Sequence, residues 1–321
     1  MKIIATDKLD VAGVKMIEEA GHELKKGWEI PKEELPSIIG EYDAVLIRSA
    51  TRVVGELMDA CLAGNIKVIG RVGVGVDNVD VPKATEKKIP VVFAPTGSTL
   101  SVAEITVGQM IALARQLTYG DRTMKEGKWA KKEMMGMELS AKTVGLIGAG
   151  RIGSEVAKRC KAFGMVVIAF DPYLPKERAE EYGITLVDSV EKIYTDSDFI
   201  SIHAVLTEET RGMVSTKAFE MMKDSAYLIN YGRGGIIDEL ALADALKTNK
   251  IAGAALDVFE TEPLPDKSPL RAGFDNLHMT PHIGAATKDA QVKAGIMTVQ
   301  GVLDVLAGKK PEFCVNPEVL S

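Results

Sequence analysis

Residues 144–153 read VGLIGAGRIG, and Asp171 closes the next apolar run, VVIAFD, eighteen positions after the last of those glycines. An apolar run that stops at clustered glycines and resumes as SEVAKRC (154–160) describes a strand, a tight turn and a helix start. Gly148 lets the chain turn, Gly150 removes a side chain where a pyrophosphate must approach the backbone, and Gly153 lets the helix pack closely on the strand. Free N–H groups and the dipole at the helix start favour the negative phosphates. Asp171 then selects among dinucleotides. A carboxylate there accepts hydrogen bonds from the ribose hydroxyls of NAD and repels the extra phosphate of NADP. The plainer reading is that Asp171 only begins a turn with Pro172.

The chain has 321 residues, enough for two domains with well-buried cores. Its net charge of −6 leaves no basic footprint for nucleic acid and no attraction to an acidic membrane. No apolar run reaches the roughly 20 residues of a membrane span. MKIIATD leads directly into a strand-like run with no signal-peptide pattern, and three widely spaced cysteines, Cys61, Cys160 and Cys314, suit reduced thiols. The expected location is therefore cytoplasmic. No Cys/His spacing resembles a metal site, and no metal is expected.

Short apolar runs alternate with amphipathic stretches throughout. Strands are expected at 2–6, 44–48, 67–71 and 90–94, with helix-like stretches at 11–20, 31–41 and 53–63. Residues 101–119 read as one buried helix, and 120–140 as a polar connector. A second series of strands is expected at 143–148, 166–170, 198–204, 226–230, 253–259 and 277–282, then one helix after residue 284 and a strand-like tail at 312–316. Strand–helix alternation twice over implies an α/β protein of two Rossmann-like, doubly wound parallel-sheet domains. The economical arrangement returns the last helix to the first domain. Residues 1–99 plus 285–321 then form a split substrate domain, and 100–284 an inserted NAD-binding domain.

The four histidines, His22, His203, His278 and His282, make the search for an acid/base short. His22 follows Gly21 in a solvated-looking turn. His278 and His282 flank a strand's carboxyl end, where open α/β sheets place ligands. NYGRGG (230–235) sets Arg233 between glycines at another strand end, where its guanidinium can grip a carboxylate through two parallel bonds. ALDVFETEP (255–263) offers Asp257, Glu260 and Glu262, which alone would read as a solvated loop. Together Arg233, Glu262 and His282 meet the needs of 2-hydroxy acid oxidation. The guanidinium holds the carboxylate and polarises the forming carbonyl, the imidazole takes the hydroxyl proton, and the carboxylate fixes its tautomer.

These segments resemble the D-isomer-specific 2-hydroxyacid dehydrogenase family over essentially the whole chain, on GAGRIG with Asp171, NYGRGGIIDE (230–239), GAALDVFETEP (253–263) and TPHIGAAT (280–287). The resemblance implies that Arg233, Glu262 and His282 are catalytic. It implies NAD contacts at Gly148, Gly150, Arg151, Ile152, Gly153, Asp171, His203, Tyr231, Gly232, Arg233, Asp257, His282, Gly284 and Ala285. It also implies a homodimer gripping through the cofactor domain. IRSAT (47–51), GRVGVGVDNVD (70–80), PTGSTLSVAE (95–104) and GKWAKKEMMGMEL (127–139) are similar to the branch that oxidises D-3-phosphoglycerate to 3-phosphohydroxypyruvate on the route to serine. That likeness gives substrate contacts at Val74, Gly75, Arg233 and His282, with Arg48 and Arg71 available to a distal phosphate. GVGVDN as a second dinucleotide turn fails for want of a third glycine.

Several positions depart from that branch: Ala94 and Ser98 in place of asparagines, Met137 in place of a small hydroxyl residue, and Ala204-Val205 after His203 in place of Thr-Pro. They bear on the acid used and its affinity, not on the trio. The chain stops at Ser321, so no C-terminal regulatory domain, and no serine feedback through one, is expected. Two alternatives remain: a reductase of glyoxylate, hydroxypyruvate or another small D-2-hydroxy acid, and a non-catalytic NAD sensor.

Overall fold

Apolar runs without alternation become strands covered on both faces, and the computed structural model, which describes residues 1–320, holds two sheets of that kind. The chain divides into two compact units. One is Met1–Thr99 with the segment beginning at Ala285, and the other is Leu100–Gly284.

In the first unit β1 (Lys2–Ala5), α1 (Val11–Glu19), β2 (Glu23–Lys26), α2 (Leu35–Ile38), β3 (Ala44–Ile47), α3 (Gly55–Ala63), β4 (Val68–Arg71), α4 (Val81–Glu86) and β5 (Val91–Phe93) follow in order. The strands are all parallel, arranged β2-β1-β3-β4-β5. The central strand β3, AVLI, is wholly buried, whereas the edge strand β2, ELKK, is largely exposed. That polarity hid β2 from a search for apolar runs. The stretch 31–41, expected as one helix, is two 3₁₀ turns around the four-residue α2. Pro36 explains the difference: its missing N–H and its clash with the preceding turn stop a helix from running through.

The second unit contains α5 (Thr99–Ala114), α6 (Leu117–Lys125), β6 (Thr143–Ile147), α7 (Arg151–Ala162), β7 (Val166–Phe170), α8 (Lys176–Glu181), β8 (Thr185–Leu186), α9 (Val190–Asp196), β9 (Phe199–Ile202), α10 (Thr216–Met221), β10 (Tyr227–Asn230), α11 (Glu239–Lys247), β11 (Gly253–Leu256) and β12 (Leu277–Met279). Its seven parallel strands run β12-β11-β10-β9-β6-β7-β8. Counted from β6, this is the dinucleotide-binding order with one strand added. The order reverses between β6 and β9, as it does between β1 and β3 in the first sheet. Such reversals open a crevice at the strands' carboxyl ends. The single helix expected over 101–119 is broken. Gln116 adopts a left-handed φ of 51°, and α6 carries on into the stretch expected as connector. One face of α5 is buried against β6, β7 and α7, but Leu100 remains 42% exposed.

Helix α12 (Lys288–Leu306), capped by Thr287, which accepts from Ala290 N at 3.1 Å, lies on α1, β4 and β5 of the first unit. The tail expected as a strand makes one antiparallel bridge, Val92↔Cys314. The buried Asn316 then accepts from Val91 N at 2.8 Å and donates to Ile89 O at 3.0 Å. Among the described residues no helix is long and apolar enough to cross a membrane, and no group of side chains is arranged for a metal ion.

Candidate active site

β6 ends at Ile147 and α7 begins at Arg151, so three residues make the turn. Gly148 has φ +86°, and a Cβ there would stand 2.9 Å from the His203–Ala204 backbone after β9, so the switch point itself demands glycine. Gly150 caps α7, yet a Cβ built on it meets nothing within 4 Å. The protein's own packing therefore does not explain this glycine, whose backbone is left open to approach from outside. A Cβ on Gly153 would meet the Gly148 carbonyl at 2.5 Å, so the third glycine seats helix against turn rather than helix against strand.

Asp171 accepts from Ala149 N at 2.8 Å through Oδ2 and from Tyr173 N at 2.9 Å through Oδ1. It thus makes the turn of the plainer reading, and each oxygen keeps a second lone pair for a hydroxyl. His203 pairs Nε2 with Ser201 Oγ at 2.9 Å, while its buried Nδ1 meets no partner among the described residues. Burial lowers its pKa to about 4, so the ring is neutral. An open Gly150, uncapped N–H groups at the start of α7 and an orphaned nitrogen on His203, whose backbone packs on Gly148, all fit a dinucleotide.

On the same sheet, Asn230 at the end of β10 is 1% exposed and shapes the turn that carries Arg233. Its Nδ2 donates to Arg233 O at 2.9 Å and its Oδ1 accepts from Gly232 N at 3.0 Å. Sequence reading passed over Asn230, although an amide directly before Tyr-Gly-Arg-Gly is a turn signal. The Arg233 Nη1 donates to Gly232 O at 2.9 Å. Glu262 Oε2 lies 2.7 Å from His282 Nδ1, and its Oε1 accepts from Phe259 N at 3.1 Å.

Burial pushes the Glu262 carboxyl up, but the bonds from His282 and Phe259, with Arg233 nearby, bring it below the usual carboxylate range. The hydrogen bond to Glu262 raises His282 above 6.5 against the pull of burial; the charges of Glu262 and Asp257 add to this and Arg233 opposes it. With Glu262 ionised, Nδ1 carries the proton. Nε2, on a side chain 53% exposed, is the atom left for proton exchange.

Asp257 is 1% exposed and holds the His282 loop. Its Oδ1 accepts from Thr280 Oγ1 at 2.5 Å and Ile283 N at 2.8 Å, and its Oδ2 from Gly284 N at 2.7 Å. Tyr231 is buried, with its hydroxyl 3.1 Å from Thr280 Oγ1, whereas Ala285 is exposed.

The first unit has its own cluster at its switch point. Buried Asp7, just past β1, accepts from Arg48 N at 2.6 Å and from Thr51 Oγ1 at 2.9 Å. Arg48 Nη1 donates to Lys8 O at 3.2 Å. Asn78, 7% exposed, donates to Arg48 O at 2.6 Å and Thr51 O at 2.7 Å and accepts from Arg71 Nε at 3.4 Å. One amide thus organises both arginines, and sequence reading did not single it out. Val74 and Gly75, half-buried, follow Gly73, which has φ +148°.

Residues 107–284 match the model of a family described as D-isomer specific 2-hydroxyacid dehydrogenase, NAD binding domain. A D-3-phosphoglycerate dehydrogenase of Methanocaldococcus jannaschii is 46% identical over 316 residues, 98% of this chain and 59% of that protein. A hydroxypyruvate reductase of Thermotoga maritima is 44% identical over 278 residues, 86% of this chain and 89% of that one. A solved protein of Thermus thermophilus superposes with a TM-score of 0.87 at 33% identity, covering 98% of this chain and 100% of its own. The chain belongs to the D-isomer specific 2-hydroxyacid dehydrogenase family, and its cofactor is NAD. It spans about three fifths of the length of the curated D-3-phosphoglycerate dehydrogenases of archaea it matches.

Proposed function

We propose that the chain oxidises D-3-phosphoglycerate to 3-phosphohydroxypyruvate with NAD, using His282 as acid/base. The observation that carries this reading is the 2.7 Å contact between His282 Nδ1 and Glu262 Oε2, in a unit where Arg233 acts on both charges. Gly150, the first N–H groups of α7 and Asp171 are the groups that would hold NAD, which when bound takes up hydride from the substrate carbon. Arg233 binds the substrate carboxylate and steadies charge on the forming carbonyl oxygen. His282 Nε2 takes the hydroxyl proton, and Glu262 steadies the resulting imidazolium. The N–H groups of Val74 and Gly75 are assigned to the substrate carboxylate, and Arg48 and Arg71 to its phosphate. The D-3-phosphoglycerate dehydrogenases among the relatives, at 38–46% identity, support this substrate.

A second reading has one observation in its favour. The hydroxypyruvate reductase matches over 89% of its length, so a chain of this span is compatible with reduction of an unphosphorylated acid. Purified protein supplied with NAD and a panel of D-2-hydroxy acids, followed by NADH absorbance, tests both. Turnover of D-3-phosphoglycerate far above the others supports the first reading. A preference for hydroxypyruvate or glyoxylate with NADH supports the second. Silence across the panel supports an NAD sensor.

The same reading includes a homodimer through the NAD domain and a cytoplasmic location. Leu117, Met124, Trp129 and Met135, between 52% and 89% exposed along α6 and the segment after it, are the apolar surface a second copy would cover. Three free cysteines suit a reducing compartment.

A further inference from the structure

His282 follows directly from the end of β12, a three-residue strand on the sheet edge. Among the described residues it pairs only with β11, through Ala254↔Leu277, Ala255↔His278 and Leu256↔Met279. Little main-chain bonding therefore fixes the loop that carries the imidazole. Side chains at alternate positions of a strand share a face, and here His278 and Thr280 are the pair. Thr280 is bonded to Asp257 and Tyr231. His278 is 9% exposed, with Nε2 2.6 Å from Thr118 Oγ1 and Nδ1 3.0 Å from Gln109 Oε1. Gln109 lies on α5 and Thr118 on α6, one on each side of the break at Gln116.

Both ring nitrogens are used. Gln109 Oε1 can only accept, so Nδ1 holds the proton and Nε2 accepts from the Thr118 hydroxyl. Burial disfavours a second proton. The Gln109 side chain also lies close enough to the Tyr231 hydroxyl to oppose the rise that burial gives its pKa, and that hydroxyl is 3.1 Å from Thr280 Oγ1. From Thr280 the bonds continue to Asp257, and from Asp257 to the N–H groups of Ile283 and Gly284, just past His282.

We propose that His278 is a positioning residue that keys β12 to the α5–α6 break and so holds the loop of His282 in register. The role rests on the reading of His282 as the acid/base. A histidine kept only to fill space would be replaceable by leucine, because packing needs no directional bonds to two helices. The bonding shows the opposite: two bonds at near-ideal length, from a strand with one neighbour, two residues from the Thr280 tie.

The test compares His278→Leu, which fills the space without bonds, His278→Asn, whose amide can restore the donor at Nδ1, and the near-isosteric Thr118→Val. Three quantities are read: the His282 titration by NMR, NADH affinity by fluorescence, and kcat and KM for the acid the wild type turns over. With four histidines, the His282 signal is assigned by its loss in His282→Asn. His278→Leu should lower kcat about tenfold through misplacement of the base, with KM and NADH affinity within about twofold, and should move the His282 titration down toward 6.5 as its hold on Glu262 loosens. His278→Asn should recover most of kcat. If His278→Leu lowers only the melting temperature, and kcat and the His282 titration stay at wild-type values, the proposal is wrong. Should His278→Leu fail to fold, Thr118→Val is judged by the same readings. If the wild type turns over nothing in the panel, the acid/base reading falls, while the His282 titration still decides whether His278 controls that loop.

Discussion

Two glycine-rich turns follow parallel strands in this chain, and one residue separates what they become. After β6, Gly148, Gly150 and Gly153 are spaced GxGxxG. After β4, Gly73, Gly75 and Asn78 repeat the spacing with asparagine in the third place. In the first case the helix starts after a turn of three residues and Gly153 packs on the carbonyl of Gly148. In the second, α4 waits until Val81, and Asn78 reaches back to Arg48 O, Thr51 O and Arg71 Nε. A third glycine lets the backbone return on itself and present N–H groups to phosphate. A third asparagine spends its amide on the neighbouring strand end and organises cations. The same spacing thus builds two different turns, one closed by glycine packing on main chain and one closed by an asparagine side chain that ties both arginines.

The strongest way to break the division of labour is to remove the imidazole while keeping the cofactor turn intact. His282→Asn should lower kcat by about 10³-fold, the ordinary worth of a positioned acid/base, with NADH affinity falling far less by fluorescence titration. Equal loss of both would mean that the loop, not the ring, was needed. Next in size is the middle glycine. Gly150→Val should weaken NADH by about 100-fold with little change in melting temperature, because its Cβ meets no protein atom within 4 Å. Unchanged affinity would show that nothing approaches that backbone.

The residues that pattern made visible are those whose role is written in local backbone or in burial on both faces. The wholly buried β3 and β9, the positive φ of Gly148 and the strand-end placement of Arg233 and His282 belong to that class. What pattern missed depends on distant partners. The edge strand β2 has only an edge to fill and carries lysines. The break at Gln116 has no proline or glycine to announce it. Asn78, Asn230 and His278 act through side-chain bonds to segments 27–169 positions away or to a turn built around them, and no periodicity encodes such partners.

Arg48→Ala sharpens the comparison from the other side. Loss of one charge-assisted contact is worth about 2 kcal/mol, so kcat/KM for D-3-phosphoglycerate should fall roughly 30-fold while that for glyoxylate or hydroxypyruvate barely moves. An equal fall for both acids would remove Arg48 from phosphate recognition. It would leave Arg71 and the main-chain groups of Val74 and Gly75 as the first turn's contribution.

The smallest effect is the most diagnostic, because it concerns a midpoint rather than a rate. His282 titrates above 6.5 through its bond to Glu262, with Glu262 and Asp257 adding negative charge and Arg233 opposing. Oxidation needs the neutral ring at the outset, so its rate should rise as pH passes the His282 pKa; reduction needs the protonated ring and should fall over the same range. Glu262→Gln keeps an acceptor for Nδ1 but removes the charge that favours the imidazolium. The midpoint must then move to lower pH, by about one unit, making oxidation relatively better in mild acid and reduction relatively worse at neutral pH. The charges that set this midpoint all belong to the second unit, so Arg48→Ala should leave it where it stands in the wild type. A midpoint that rises in Glu262→Gln, or that follows Arg48 instead, would mean that the titrating group in turnover is not the imidazole held by Glu262.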